Sequence, residues 1–298
     1  MTGHSLSGEL VSICLPVRNG AERLEEVVRS VLAQDHERIE LVISDNASTD
    51  STEQVCRELA RSDPRVVYHR YPVNVGLLNN FVGAMRLSKG RYFRWVGDDD
   101  WLAPDCVSHA LAEFAADDRR VLVTTQVAYT GADGITRTDD GYDGVKLASA
   151  DPIVRFTEIL RLLNESPLLI DPLYGLVRRG PVAPIPRRNM LKEDEVFATK
   201  LALAGPWGHV PKVLAHRNTR TERIASIARR LGVPPWQAHL SSALQAREMF
   251  RWLPHAGLTP EQLRSAQVAV GRMYLRRQRR TYAHRGRKLV GMAAALVR

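Results

Sequence analysis

Three consecutive carboxylates, Asp98-Asp99-Asp100, are the densest chemistry in the sequence. Adjacent carboxylates repel one another unless solvent or a cation relieves them. Hard oxygen donors suit Mg²⁺ or Mn²⁺, which use one or two protein carboxylates and fill the remaining shell with waters and phosphate oxygens. The triplet also suits a solvated acidic turn ahead of a helix, but its place after the apolar stretch RYFRWV (residues 91–96) favours the cation. Asp45 likewise closes an apolar stretch. There a carboxylate accepts hydrogen bonds from a base edge or a ribose, or else ties an Asx turn within DNASTD. Asn74-Val75-Gly76 is either a plain loop or a turn whose glycine admits a ligand close to the backbone. Lys192-Glu193-Asp194-Glu195 opens a helix, where an acid is favoured by the helix dipole and is also placed to act as a general base. His209 and His216 fall on a late loop, and their spacing alone demands no metal. No GxGxxG or GxxxxGK[ST] occurs, which removes the main support for dinucleotide and P-loop chemistry.

The elements that must position these residues alternate between two periods. Residues 10–15 (LVSICL) form a short apolar run closed by Pro16 and Asn19-Gly20, which predicts a buried strand. Residues 22–33 carry Leu24, Val27, Val28, Val31 and Leu32 at helical spacing behind an acidic first turn. Strands are predicted over 39–44, 65–70 and 91–96, and helices over 51–60, 79–87 and 104–115. Strands alternating with helices imply an α/β fold with a mostly parallel sheet and helices on both faces. In such sheets ligands bind beyond the carboxyl ends of the strands, where Asn19, Asp45, Asn74 and the triplet all fall. A strand over 121–129, a hairpin or loop over 131–144, a helix over 151–163, a strand over 173–177 and a helix over 193–204 follow. Beyond residue 220 the pattern is wholly helical, broken at Gly232–Pro235. This sets the expected organisation at a 1–219 catalytic unit and a 220–298 helical extension.

The chain has 298 residues, 44% hydrophobic and 25% charged, which is a globular composition. Its three cysteines are widely spaced, which points to a reducing, cytoplasmic setting and encodes neither a disulfide framework nor a zinc cluster. No secretion signal is expected, and the apolar run 289–297 is far short of the roughly 20 residues a spanning helix needs. The net charge of +9 lies wholly in the tail: residues 264–298 carry ten Lys/Arg and no acid, leaving 32 bases against 33 acids before them. A near-neutral body argues against a nucleic-acid enzyme and for a basic appendage. Leu275, Tyr282, Leu289, Val290, Met292 and Leu296 among the arginines describe a basic helix. It suits peripheral attachment to a cytoplasmic leaflet, at about 1 kcal/mol per base, or else a helix packed on the body or a disordered end.

Taken together, VSICLPVRNGAERLEEVVRSVLAQ, IELVISDNASTDST, the NVG segment and GRYFRWVGDDDWLAPD resemble the family 2 glycosyltransferases with a GT-A fold, over residues 10–105. Similarity continues more weakly through PLYGLVRR (172–179), EDEVFATKLALAG (193–205) and VPKVLAHR. The resemblance implies a Rossmann-like GT-A core and transfer of a sugar, with inversion, from a nucleoside diphosphate sugar to an acceptor hydroxyl. A UDP-sugar is the favoured donor; the acceptor is a cell-surface glycan, a lipid-linked precursor or a natural product. It further implies that Asp45 contacts the nucleotide base and that Pro16, Val17, Arg18 and Asn19 wrap it. Asn74, Gly76, Asn80 and Asp98 complete the donor site. Asp99 becomes the direct ligand of Mn²⁺ or Mg²⁺, supported by Asp98 and Asp100, and Asp194 the catalytic base. Two positions depart from the family pattern: Arg18 stands where an aromatic residue often precedes Asn19, and Gly97 where many members carry the first aspartate of DxD. The alternative class is a non-catalytic nucleotide-sugar-binding scaffold, against which retention of the triplet and Asp194 argues.

Overall fold

The computed structural model describes residues 6–138, 142–165, 171–218 and 222–296, with side chains through Arg279. The chain begins with β1 (Val11–Val17), every residue of which is buried, and α1 (Leu24–Leu32), which turns Leu24, Val27, Val28 and Val31 inward. Then come β2 (Ile39–Asp45), α2 (Thr52–Ser62), β3 (Val66–Arg70), α3 (Leu77–Leu87) and β4 (Tyr92–Trp95). β5 (Trp101–Leu102), α4 (Cys106–Ala116), β6 (Leu122–Thr130), β7 (Thr136–Arg137) and α5 (Pro152–Glu165) follow. After a 3₁₀ turn at Pro172–Tyr174 come β8 (Leu176–Arg178), α6 (Arg179–Val182), α7 (Glu193–Ala204) and β9 (Trp207–Asn218). The chain ends in α8 (Ile224–Leu231), α9 (Gln237–Trp252) and α10 (Pro260–Leu296). Every element predicted as far as β6 is present, with boundaries shifted by two residues or fewer, and the two-residue β5 between β4 and α4 is an addition to the sequence reading.

One sheet runs β3-β2-β1-β4-β8-β6-β9-β5 among the described residues, with β7 paired to β6. The β3-β2-β1-β4 half is parallel, because each crossover is a helix, and β6 lies parallel to β9 over a long register. β8 reverses direction between β4 and β6, so the sheet is mostly parallel with antiparallel insertions.

Two stretches differ from the sequence reading. Residues 207–218, read as loop, form the long strand β9. Its register jumps from Thr125 opposite Val210 to Gln126 opposite Val213, so Pro211 and Lys212 fall in a bulge. A proline that would break a central strand is accommodated there, and it had masked the strand signal. The predicted strand 173–177 is instead a 3₁₀ turn followed by the three-residue β8.

Helix α7 is buried almost around its circumference. Phe197, Ala198, Leu201 and Ala202 face the sheet side with Trp95, Leu122 and Trp207, whereas Val196 and Leu203 join a second core with Phe156, Met249, Val270 and Met273. A helix buried on most sides needs a second layer, and α5, α9 and α10 supply it. The helical extension therefore packs onto the body. The expected boundary at 219/220, loop residues 139–141 and the side chains of Tyr282, Leu289, Val290, Met292 and Leu296 lie outside the described residues.

Candidate active site

A cleft of about 650 Å³ opens at the carboxyl ends of β1, β2 and β4. Pro16, Val17 and Arg18 line it from the end of β1, Asn46 from β2, Asn74 and Leu77 from the start of α3, and Asp98 and Asp99 from the turn after β4. The facing wall comprises Asp171 and Tyr174, Lys192 to Asp194, Arg217, and Ile227 and Arg230 of α8.

The β1 loop is held rather than free. Asn19 adopts a left-handed backbone with φ 54°; its N–H donates to Ser48 Oγ at 2.9 Å and its Oδ1 accepts the Thr49 N–H at 2.9 Å. Gly20 packs so closely that a Cβ would meet Val17 Cγ2 at 2.6 Å and Asp98 Oδ2 at 2.7 Å. Gly76, at φ 90°, caps α3 and donates its N–H to Asn74 Oδ1 at 2.9 Å.

The three aspartates have three different environments. Asp98 Oδ2 accepts from Arg23 Nε at 3.1 Å and pairs with its Nη2. Asp100 is 4% exposed; it accepts the Gly97 N–H at 2.7 Å and Arg217 Nε at 3.1 Å. Arg217 in turn pairs with Asp171 and lies 3.5 Å over the Tyr174 ring. Asp99 lines the cleft, its carbonyl accepting Asn218 Nδ2 at 3.0 Å. Asp100, expected to support a metal, is buried, with its carboxylate engaged by the Gly97 N–H and Arg217. A Cβ at residue 97 would press on Asp100 at 3.0 Å, which accounts for glycine there.

Asp45 also differs from the expectation that it faces a base. It is fully buried: Oδ1 accepts Ser48 N–H at 2.9 Å and Ser48 Oγ at 2.6 Å, and Oδ2 accepts the Tyr68 hydroxyl at 2.8 Å, with Arg70 Nε 3.6 Å away. These contacts tie the end of β2 to Ser48 and to Tyr68 of β3. Asn80 lines the cleft, but its amide is turned inward, donating to Ser44 O at 2.9 Å and accepting Ser44 Oγ at 2.7 Å. Asn19, Asp45, Gly76 and Asp100 thus shape the cleft from behind, while Pro16, Val17, Arg18, Asn74, Asn80, Asp98, Asp99 and Asp194 reach its wall.

Asp194 projects from the first turn of α7, after Lys192 turns the chain through φ 64°. Its side chain is open to the cleft yet walled by protein. Lost solvation, then the Glu195 charge, raises its carboxyl to about 6, against one stabilising bond from the Glu195 N–H at 2.9 Å. Beside it, Glu193 accepts Arg187 Nε at 2.7 Å, and that guanidinium lies 4.4 Å over Phe197. Neither histidine lines the cleft: His209 Nδ1 meets Thr124 Oγ1 at 3.0 Å and His216 Nε2 meets Thr130 Oγ1 at 2.6 Å, both across β6.

Arg23, Asn46, Asp171, Tyr174, Arg187 and Arg217 escaped sequence reasoning. Tyr174 and Arg217 do lie within the weakly similar PLYGLVRR and VPKVLAHR segments. Nothing local, however, tells that Arg217 reaches residues 46 and 117 positions away.

The donor set fits a cation of one kind. Among the described residues no cluster of three or more His, Cys, Asp or Glu could hold a metal on protein ligands alone. Two adjacent carboxylates on the cleft wall, one braced by Arg23, suit a hard ion that completes its shell with phosphate oxygens.

The family model for Glycosyl transferase family 2 matches residues 12–183. The chain belongs to that family. Among curated members, abequosyltransferase RfbV of Salmonella typhimurium is 39% identical over 103 residues, 33% of this chain and 31% of its own. Chondroitin synthase of Pasteurella multocida is 34% identical over 125 residues, 42% of this chain and 13% of its own. The match thus spans a third or less of the length of these family 2 relatives. Among solved structures, S. aureus TarS 1-349 in complex with UDP-GlcNAc superposes with a TM-score of 0.64 at 17% identity, covering 89% of this chain and 72% of its own. Mannosyltransferase PcManGT from Pyrobaculum calidifontis, in complex with GDP-Man and Mn²⁺, gives 0.53 at 16% identity, covering 97% and 80%. These likenesses establish the GT-A fold of this family 2 chain.

Proposed function

We propose that this family 2 chain is an inverting glycosyltransferase that moves a sugar from a nucleoside diphosphate sugar, a UDP-sugar in the first instance, to the hydroxyl of a glycan, lipid-linked or small-molecule acceptor. The observation that carries the reading is that Asp194, with its carboxyl raised to about 6, lines the same cleft as Asp98 and Asp99. Relatives named for abequose transfer and chondroitin synthesis, and neighbours in complex with UDP-GlcNAc or GDP-Man, support the substrate class.

In this reading Pro16, Val17, Arg18 and Asn74 receive the nucleotide, and the Arg18 guanidinium supplies the plane on which the base stacks. Asp99, with Asp98 braced by Arg23, would hold Mg²⁺ or Mn²⁺. The chemistry it would supply when bound is Lewis-acid relief of the charge developing on the leaving diphosphate. Arg230, paired with Glu222, and Lys192, paired with Glu195, put two cations on the facing wall among its carboxylates. The acceptor oxygen attacks the anomeric carbon as the bond to the diphosphate breaks, and its proton passes to Asp194. One displacement inverts the centre, so no sugar–protein bond forms.

The test is thermal unfolding with UDP, GDP and dTDP and their sugars, each with Mn²⁺, Mg²⁺ or EDTA, followed by release of nucleoside diphosphate. One nucleotide should raise Tm in a metal-dependent way, by about 2.7 kcal/mol of stability at a hundred times its Kd. Asp99→Asn should remove the metal dependence, and Asp194→Asn should remove turnover while keeping the Tm rise. Folded protein that responds to no nucleotide overturns the reading; a response without turnover under any acceptor favours the binding scaffold.

A further inference from the structure

Among the described side chains the inward face of α10 is apolar, with Ala266, Val270 and Met273 buried, yet it also carries Arg277. Arg277 follows the same face, 11% exposed at its side chain, and reaches three elements. Its Nε donates to Asn164 Oδ1 at 2.8 Å and its Nη2 to Leu163 O at 3.0 Å, both at the end of α5. Nη1 donates to Gln245 Oε1 of α9 at 2.5 Å, and Nη2 also to Glu195 Oε2 of α7 at 2.6 Å. Glu195 accepts two further donors, Gln245 Nε2 at 2.9 Å and Lys192 Nζ at 3.1 Å. It is the residue whose backbone N–H binds the Asp194 carboxylate.

We infer that Arg277 is a positioning residue which, through Glu195, fixes the first turn of α7 and the charge that Asp194 faces in the cleft. The inference rests on the reading of Asp194 as base. Three side chains converge on the Glu195 carboxylate, whereas the Asp194 carboxylate accepts from the Glu195 backbone, so the turn is clamped at the residue beside the base and the base lines the cleft. Five groups from three elements and their flanking segments face the pair. Lys192 and Glu193 lie on or beside the same turn, Asp171 precedes β8, Arg277 comes from α10, and neutral Gln245 from α9. Burial pushes the Glu195 carboxyl up, but Lys192 and Arg277 outweigh it and hold it below its ordinary range. Glu195 therefore stays ionised beside Asp194, and the Arg277 cation from the C-terminal helix offsets part of the field that Glu195 casts on it.

Titration of the full chain labelled with carboxyl-¹³C aspartate reads this without any substrate, Asp194→Asn assigning the resonance. Arg277→Gln should move the Asp194 midpoint upward by about half a pH unit or more, because Glu195 loses its compensation. Glu195→Gln should move it downward by a similar amount. Arg277→Lys keeps the charge but not the fork, and should leave the midpoint near wild type. An unmoved midpoint in folded Arg277→Gln, or shifts of one sign in both the Arg277→Gln and Glu195→Gln variants, overturns the inference. Should Arg277→Gln fail to fold, Glu195→Gln decides: no downward shift overturns it. Loss of turnover in Asp194→Asn tests the base reading separately, so either result can fail without the other.

Discussion

At the scale of single residues, environment separates carboxylates that composition makes equal. Asp98, Asp99 and Asp100 are neighbours in the chain, yet Asp100 is enclosed with Arg217 while the other two meet the cleft. Asp194 and Glu195 diverge in the same way: lost solvation and then the Glu195 charge raise the first to about 6, while Lys192 and Arg277 lower the second. A base must be ionised to accept a proton, so turnover should fall as pH drops through about 6 and level off above it. A pH–rate profile of kcat/KM checks this; an acid limb near the ordinary aspartate value of about 4 would mean that another group carries the step. Asp45, by contrast, is a strand-end carboxylate with both oxygens engaged, by Ser48 and Tyr68.

At the scale of elements, the cleft depends on how tightly the turns after β1 and β4 approach each other. Gly20 is the point of contact, with no room for a methyl group between Val17 and Asp98. Gly20→Ala should therefore destabilise the protein by about 1–3 kcal/mol, as overpacking does, and displace Asp98 from Arg23. The urea midpoint together with the metal-dependent Tm rise checks it; a variant as stable as wild type with an intact nucleotide response would contradict this reading of the turn. The bulge in β9 does comparable work on the other side, carrying Arg217 to the cleft although Pro211 interrupts the strand.

At the scale of the whole molecule, α10 divides its two faces between the core and the outside. Ala266, Val270, Met273 and Arg277 pack inward, and Arg264, Val268, Arg272, Leu275 and Arg279 form an exposed stripe of alternating charge and apolar bulk. No described helix is long and apolar enough to cross a membrane. We propose that the stripe meets an anionic lipid surface, and charge reversal at Arg264, Arg272 and Arg279 tests this without disturbing the shared core. Co-sedimentation with phosphatidylserine vesicles should fall by tenfold or more, three bases contributing about 1 kcal/mol each, and equal sedimentation would sink the idea. The order of strands and helices through β6, the two-residue β5 excepted, and the carboxylates at the strand ends were legible in the chain because both arise from short-range periodicity and from where apolar runs stop. Which carboxylate faces ligand and which faces arginine was not legible, nor that residues 207–218 form a strand. Arg217, Tyr174, Arg187 and Arg277 meet their partners across long stretches of sequence, and a pKa or a ligand set follows from what packing brings within a few ångströms.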